Sequence, residues 1–169
     1  MLYYCNTVGC DERFAIIKIG NLLLVNVYVP CCGTQNRIVL CEEMLAEVSS
    51  WCESFAMCQY IIAGDFNCNL DSNDPVAERI NQFINMWSLE RCDKLIPSDV
   101  TYTYINNALN QQSYIDYALV SSDMGVGEFY VLEPSINFSD HLPLIMSCVV
   151  TVSDSGSNCL LYTSDAADE

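Results

Sequence analysis

Two β-rich runs, Phe14 to Ile19 and Leu22 to Val29, flank Gly20-Asn21, so the pattern predicts an early hairpin with a two-residue turn. The period then lengthens. From about Gln35 to Phe55, Ile38, Cys41, Leu45, Val48 and Cys52 recur every three or four residues, which predicts a helix with Thr34 as its N-cap. A short apolar run, Tyr60 to Ala63, reads as a buried strand that leads straight into Gly64-Asp65-Phe66-Asn67. Asp74-Pro75 marks a second helix, with Asp as N-cap and Pro at the first helical position. Its buried face should be Val76, Ile80, Phe83, Ile84 and Trp87. Four strand-like runs follow: Thr101 to Ile105, Tyr114 to Val120, Glu128 to Leu132 and Leu142 to Val150. Helices interleaved with strands, then strands alone, indicate an α/β (α+β) domain with mixed sheets.

Composition narrows this to one domain. The chain has 169 residues, half of them apolar, enough to bury a sizeable core. Residues 1–152 are assigned to that domain. The polar stretch from Ser153 to Asn158 and the string Cys159 to Glu169 have no packing pattern; the latter resembles a translated sequencing adaptor, so 153–169 is set apart as a tail. No apolar run approaches membrane-spanning length, and the first residues lack the basic, apolar and small-residue succession of a signal peptide. Eleven cysteines without a secretory signal, several inside predicted strands and helices, read as reduced thiols in the nucleus or cytoplasm rather than as a disulfide framework. Net charge is −16, with six Lys and Arg in the whole chain. Tight DNA binding by this chain alone is therefore not expected, because replacing phosphate counterions needs a basic surface. Excess carboxylate suits a divalent cation instead.

Four polar clusters lie at predicted strand ends, where a sheet holds side chains rigidly and loops open a crevice. They are Asn26-Val-Tyr28-Val-Pro30, Gly64-Asp65-Phe66-Asn67, Ile115-Asp116-Tyr117 and Ser139-Asp140-His141-Leu-Pro143. Singly, each has an ordinary explanation: Gly-Asp after a strand makes a turn, and one His before an apolar strand is commonly structural. Asp116 stands out. A carboxylate in the middle of an apolar strand costs several kcal/mol unless paired, and His141, the chain's sole histidine, is the economical partner.

In order and spacing these clusters resemble the motifs of the endonuclease/exonuclease/phosphatase superfamily, which includes abasic-site endonucleases, DNase-I-like nucleases and LINE endonucleases. The resemblance runs from about Phe14 to Val150. The segment Leu23-Leu-Val-Asn-Val-Tyr-Val-Pro30, Arg91-Cys92-Asp93, and the spacing from Thr103 to Tyr114-Ile-Asp-Tyr117 look most like the LINE-type retrotransposon branch. The fold this implies is a DNase-I-like four-layer sandwich, two mixed sheets flanked by helices. The implied activity is metal-dependent hydrolysis of DNA phosphodiesters, a nicking endonuclease fused to a reverse transcriptase in a full-length element. By the same resemblance Asp65 would orient and help deprotonate the attacking water. Asn67 would hold a non-bridging phosphate oxygen, and Tyr28 would touch the phosphate through its hydroxyl. His141 would donate to the phosphate with Asp116 fixing its ring, and Asp140 would sit at or near Mg²⁺ (or Mn²⁺).

This sequence departs from the pattern at two places. The superfamily carries an Asn and a metal-binding Glu on strands upstream of the hairpin, and nothing before Phe14 supplies them; Glu12 is too close to the hairpin. Cys31 stands where some members have Asn. The domain is accordingly expected to be incomplete at its N-terminus and weakened as a catalyst, and a non-catalytic remnant or incomplete reading frame is the alternative. A phosphatase or phospholipase of the same fold ranks lower. Cys68-Asn69-Leu70 replaces the Arg expected shortly after Gly-Asp-x-Asn, and Arg91-Cys92-Asp93 lacks the Trp of inositol phosphatases.

Overall fold

The computed structural model describes residues 5–135 and 137–150. The hairpin forms as β2 (Phe14–Ile19) and β3 (Leu22–Tyr28), antiparallel, with Ile19 opposite Leu22. Gly20 takes a φ of 57° in the turn, a value that costs little only without a Cβ. A strand that the hydrophobic pattern does not announce, β1 (Cys5–Cys10), pairs antiparallel with β2.

Helix α1 (Arg37–Ser54) starts later than its spacing suggests, and Thr34 is not its cap. Asn36 is the N-cap residue, in the left-handed region at φ 58°, without a side-chain cap bond. The Thr34 hydroxyl lies 3.4 Å from the Cys31 Sγ instead. The buried stripe is Cys41, Met44, Val48 and Cys52; Ile38 is exposed and Leu45 only partly covered. Both stripes fit helical spacing, and packing on the sheet selects the one through Met44. Helix α2 (Pro75–Met86) begins as expected: the Asp74 carboxylate accepts from the Val76 N–H at 2.8 Å. It buries Val76, Ala77, Ile80, Phe83 and Ile84. Trp87 is its C-cap and donates from the indole to the Ser49 hydroxyl at 3.1 Å, tying α2 to α1.

Strand β4 (Gln59–Asp65) is longer than its apolar run and carries the Gly-Asp pair as its last residues. After it come β5 (Leu89–Arg91), α3 (Cys92–Leu95), β6 (Tyr104–Asn106), β7 (Gln111–Ser113), β8 (Asp116–Ser121), β9 (Gly125–Val131) and β10 (Leu144–Val149). The short elements β5, α3 and β7 span too few residues to show a period. Asp116 is the first residue of β8, not its middle, so the carboxylate sits at the strand's mouth.

The main sheet runs β1-β2-β3-β4-β8-β5, with β3–β4 parallel and the other pairs antiparallel. Helices α1 and α2 cover one face, packing Val48 and Ile80 against Leu23, Val25, Ile62 and Leu119. The antiparallel ribbon β9–β10 covers part of the other, setting Phe129 against Leu22, Ile61, Ala118 and Val120. The mixed sheet, flanking helices and second sheet follow the expected architecture. Among the described residues that second sheet is a two-stranded antiparallel ribbon and not a mixed sheet.

Cys41, Cys52, Cys68 and Cys92 are buried free thiols, whereas Cys31 and Cys32 are exposed. No described helix is long and apolar enough to cross a membrane. The tail assigned to 153–169 lies outside the described residues.

Gly64 lies hard against β3. Its φ is +145°, and a Cβ there would lie 2.0 Å from the Val27 carbonyl oxygen. Gly64→Ala should therefore destabilise the fold by about 1–3 kcal/mol from backbone strain alone, with the clash against β3 added. Urea denaturation measures it; wild-type stability in the variant would show that β3 and β4 separate freely at this point.

Candidate active site

Pleat parity assembles the centre of the site. On β3, Leu23, Val25 and Val27 face the helices, so Asn26 and Tyr28 face the opposite side. The parallel register sets Tyr28 beside Asp65, and the antiparallel register of β8 sets Asp65 beside Asp116. Three polar side chains from three strands thus stand in one row on one face, at the end of the sheet. Tyr28 is exposed and Asp65 half-buried.

His141 comes to this row from far along the chain. Its Nδ1 lies 3.0 and 3.1 Å from the two Asp116 carboxylate oxygens. Nδ1 donates to the carboxylate, which orients the ring and leaves Nε2 outside that pair. Nε2 has no partner among the described residues, and the side chain is 32% exposed, so this nitrogen is open to a ligand. The Tyr104 ring lies 4.9 Å from the imidazole and limits its tilt.

Thr103 stitches the two halves of this pair together. It is fully buried; its Oγ1 accepts from the Ile115 and Asp116 amides, both at 3.0 Å, and its carbonyl accepts from Leu142 N–H at 2.7 Å. In the sequence Thr103 marks only a spacing from Tyr114. A buried hydroxyl between two tyrosines was the available signal, but its partners lie 12 to 39 residues away (115 − 103 and 142 − 103).

Asn67 holds Asp65. The Asn67 backbone N–H donates to one Asp65 carboxylate oxygen at 2.8 Å and its side-chain amide to the other at 2.9 Å. The second amide hydrogen goes to the Val29 carbonyl at 2.8 Å. Both hydrogens are used within the protein, so in this state Asn67 positions the carboxylate; the phosphate contact implied by the resemblance needs the amide to turn. Tyr117, next to Asp116, accepts from the Leu70 N–H at 3.0 Å and so anchors the loop after Asn67. Asp140 is exposed, and its carbonyl accepts from Ile105 N–H at 2.8 Å.

Among the described residues no three His, Cys, Asp or Glu side chains gather to hold a metal ion. The described groups therefore do not make a complete divalent-cation site by themselves. Positive charge is also committed elsewhere: Arg37 pairs with Asp74, Arg79 with Glu42, Arg91 with Asp71 and Asp93, and Lys94 with Asp71.

The Endonuclease/Exonuclease/phosphatase family profile matches residues 22–141, which take in the first three strand-end clusters and the fourth as far as His141. The chain belongs to that family. Members are hydrolases, nucleases and phosphatases among them, and are generally dependent on divalent metal. No curated protein matches the sequence. Solved structures do match in fold. The endonuclease domain of TRAS1, a telomere-specific non-LTR retrotransposon, superposes with a TM-score of 0.67 at 16% identity, covering 85% of this chain and 68% of that one. The 3′ phosphatase NExo from Neisseria bound to product DNA hairpin gives 0.62 at 18% identity, covering 86% and 69%. A mannosyl-6-phosphatase of Bacteroides thetaiotaomicron gives 0.58 at 19% identity, covering 80% and 55%. The chain spans about half the length of several such structures, 55% and 53% in two bacterial examples. At these identities the likeness establishes the DNase-I-like fold.

The carboxylates of this family member titrate in opposite senses. Burial and then the neighbouring Asp116 push the Asp65 carboxyl up, against the Asn67 hydrogen bonds and His141. For Asp74 burial also pushes up, but the Arg37 ion pair and the Val76 N–H prevail and hold it low. A raised carboxyl contributes stability that is lost as pH rises through its folded value; a lowered one contributes stability lost as pH falls through its folded value. In carboxyl NMR titrations Asp65 should have its midpoint above the ordinary ~3.9, and Asn67→Ala should move it higher still. The melting-temperature deficit of Asp74→Asn at neutral pH should shrink as acid protonates wild-type Asp74. An Asp65 midpoint below 3.9 would contradict the crowding of Asp65 and Asp116.

Proposed function

We propose that this chain carries the catalytic face of a DNA-nicking phosphodiesterase, the endonuclease of a LINE-type retroelement whose full-length protein also holds a reverse transcriptase. The observation that carries the reading is the convergence of Tyr28, Asp65 and Asp116 in one row with His141 bonded to Asp116. A phosphodiester needs an aligned water and relief of negative charge on its oxygens, and these groups suit both tasks. Asp65, ionised and held by Asn67, orients the water and takes its proton. His141 donates from Nε2 to a phosphate oxygen, with Asp116 holding the ring through Nδ1. The Tyr28 hydroxyl meets a second oxygen. The fold likeness to a retrotransposon endonuclease domain supports this choice within the family.

Dependence on Mg²⁺ or Mn²⁺ belongs to the same proposal, with Asp140 as one ligand and the remaining ligands from outside the described residues. This chain alone should then be a weak catalyst, and DNA should bind it weakly because Arg37, Arg79 and Arg91 are already paired with acids. A phosphatase reading has support of its own in the Neisseria and Bacteroides neighbours.

Supercoiled-plasmid nicking with Mg²⁺ or Mn²⁺ separates these readings. Nicking should be slow, stop with EDTA, weaken steeply with salt, and fall by about 10²-fold or more in Asp65→Ala and in His141→Ala. Because Asp65 must be ionised, activity should fall as pH drops through its raised midpoint. Phosphate release from a phosphomonoester without any nicking would favour the phosphatase. Silence on both substrates with either metal would leave a non-catalytic remnant.

A further inference from the structure

The first residue of α1 reaches three separate segments of the site. The Arg37 guanidinium donates from Nε to the Pro30 carbonyl at 2.8 Å and from one terminal nitrogen to the Asn67 carbonyl at 2.9 Å. Its other terminal nitrogen binds both Asp74 carboxylate oxygens, at 2.8 and 3.0 Å. The Arg37 side chain is 14% exposed and that of Asp74 22%, so solvent screens the pair little.

What these partners do gives the contacts meaning. Pro30 lies two residues after Tyr28. Asn67 sits in the left-handed region at φ 50°, a conformation that a side chain makes unfavourable unless its surroundings hold it. Its side chain grips Asp65 and the Val29 carbonyl. Asp74 caps α2. One side chain therefore joins the start of both helices to the ends of β3 and β4. Arginine suits this because its donors point in fixed, divergent directions within one plane; a lysine ammonium has three donors on a flexible stem and cannot span the same three acceptors.

We infer that Arg37 is a positioning residue: by holding the Asn67 carbonyl it keeps the Asn67 amide on Asp65, and by holding Pro30 it sets Tyr28 in the same row. Its importance for turnover rests on the phosphodiesterase reading, while the positioning itself does not. Arg79 is a natural control, since Arg79–Glu42 also joins α1 to α2, through a single exposed contact at 2.7 Å away from these loops.

The test compares Arg37→Lys, Arg37→Met and Arg79→Met in the full chain, each at temperatures well below its own melting point. In ¹H–¹⁵N spectra of folded Arg37→Lys, the Asn67 backbone and side-chain amide signals should move, and the Asp65 carboxyl midpoint should rise as its hydrogen bonds weaken. Arg79→Met should leave both as in wild type. Where the wild type nicks plasmid, Arg37→Lys should lower kcat at least tenfold with KM within twofold. A wild type that does not nick defeats the activity reading, and the amide and carboxyl signals still decide the positioning role. Unchanged Asn67 and Asp65 signals in folded Arg37→Lys would overturn the inference. So would loss of folding in both Arg37 variants, which would make the residue a brace for the fold alone.

Discussion

The structure depends on how β4 is held between β3 and β8. The parallel bond to β3 and the antiparallel bond to β8 fix the register on both sides, and register decides which side chains share a face. A slip of one residue would turn Asp65 toward the helices and Phe66 toward the open face. That slip is opposed by the whole apolar set on the helix side, from Tyr60 and Ile62 through Phe66. The same hydrophobic burial that folds the domain therefore aims the carboxylate. Gly64, pressed against the Val27 carbonyl, allows the strands to stay paired to the last residue.

The surroundings of that row are arranged for acids. Asp65 and Asp116 are neighbours by register, and each is managed by a different partner, Asn67 for one and His141 for the other. Hydrogen-bond donors, rather than neutralising arginines, hold Asp65. A carboxylate tied to an arginine would be a poor base, and keeping Asp65 free of such a pair is consistent with its upward shift. The arginines work one step back. Arg37 and Arg91 are both half-buried and both answered by aspartates, so they add rigidity to the loops without adding net positive charge to the surface.

The elements legible in the chain were those whose information is local. The Gly20-Asn21 turn, the Asp74-Pro75 helix start and the apolar face of α2 each depend on neighbours within a few residues. The order of the strand-end clusters was legible too, because each is a short run of adjacent residues. Errors came where two local readings were equally good. Thr34 has the chemistry of a cap, but the chain turns at Asn36; Leu45 fits the helical period as well as Met44 does.

The sequence by itself determined the class of fold, the family and the identity of the polar groups at the strand ends, because turn chemistry, period and motif order are written in short stretches. Only the tertiary structure decided that Asp116 stands at a strand's mouth, that Thr103 joins it to the His141 segment, and that Arg37 ties the site loops together. Each of those facts is a contact between residues far apart in the chain. Such contacts are selected by packing and by the need to satisfy every buried donor and acceptor at once. No stretch of sequence contains that condition, since it exists only when the strands and helices have come together.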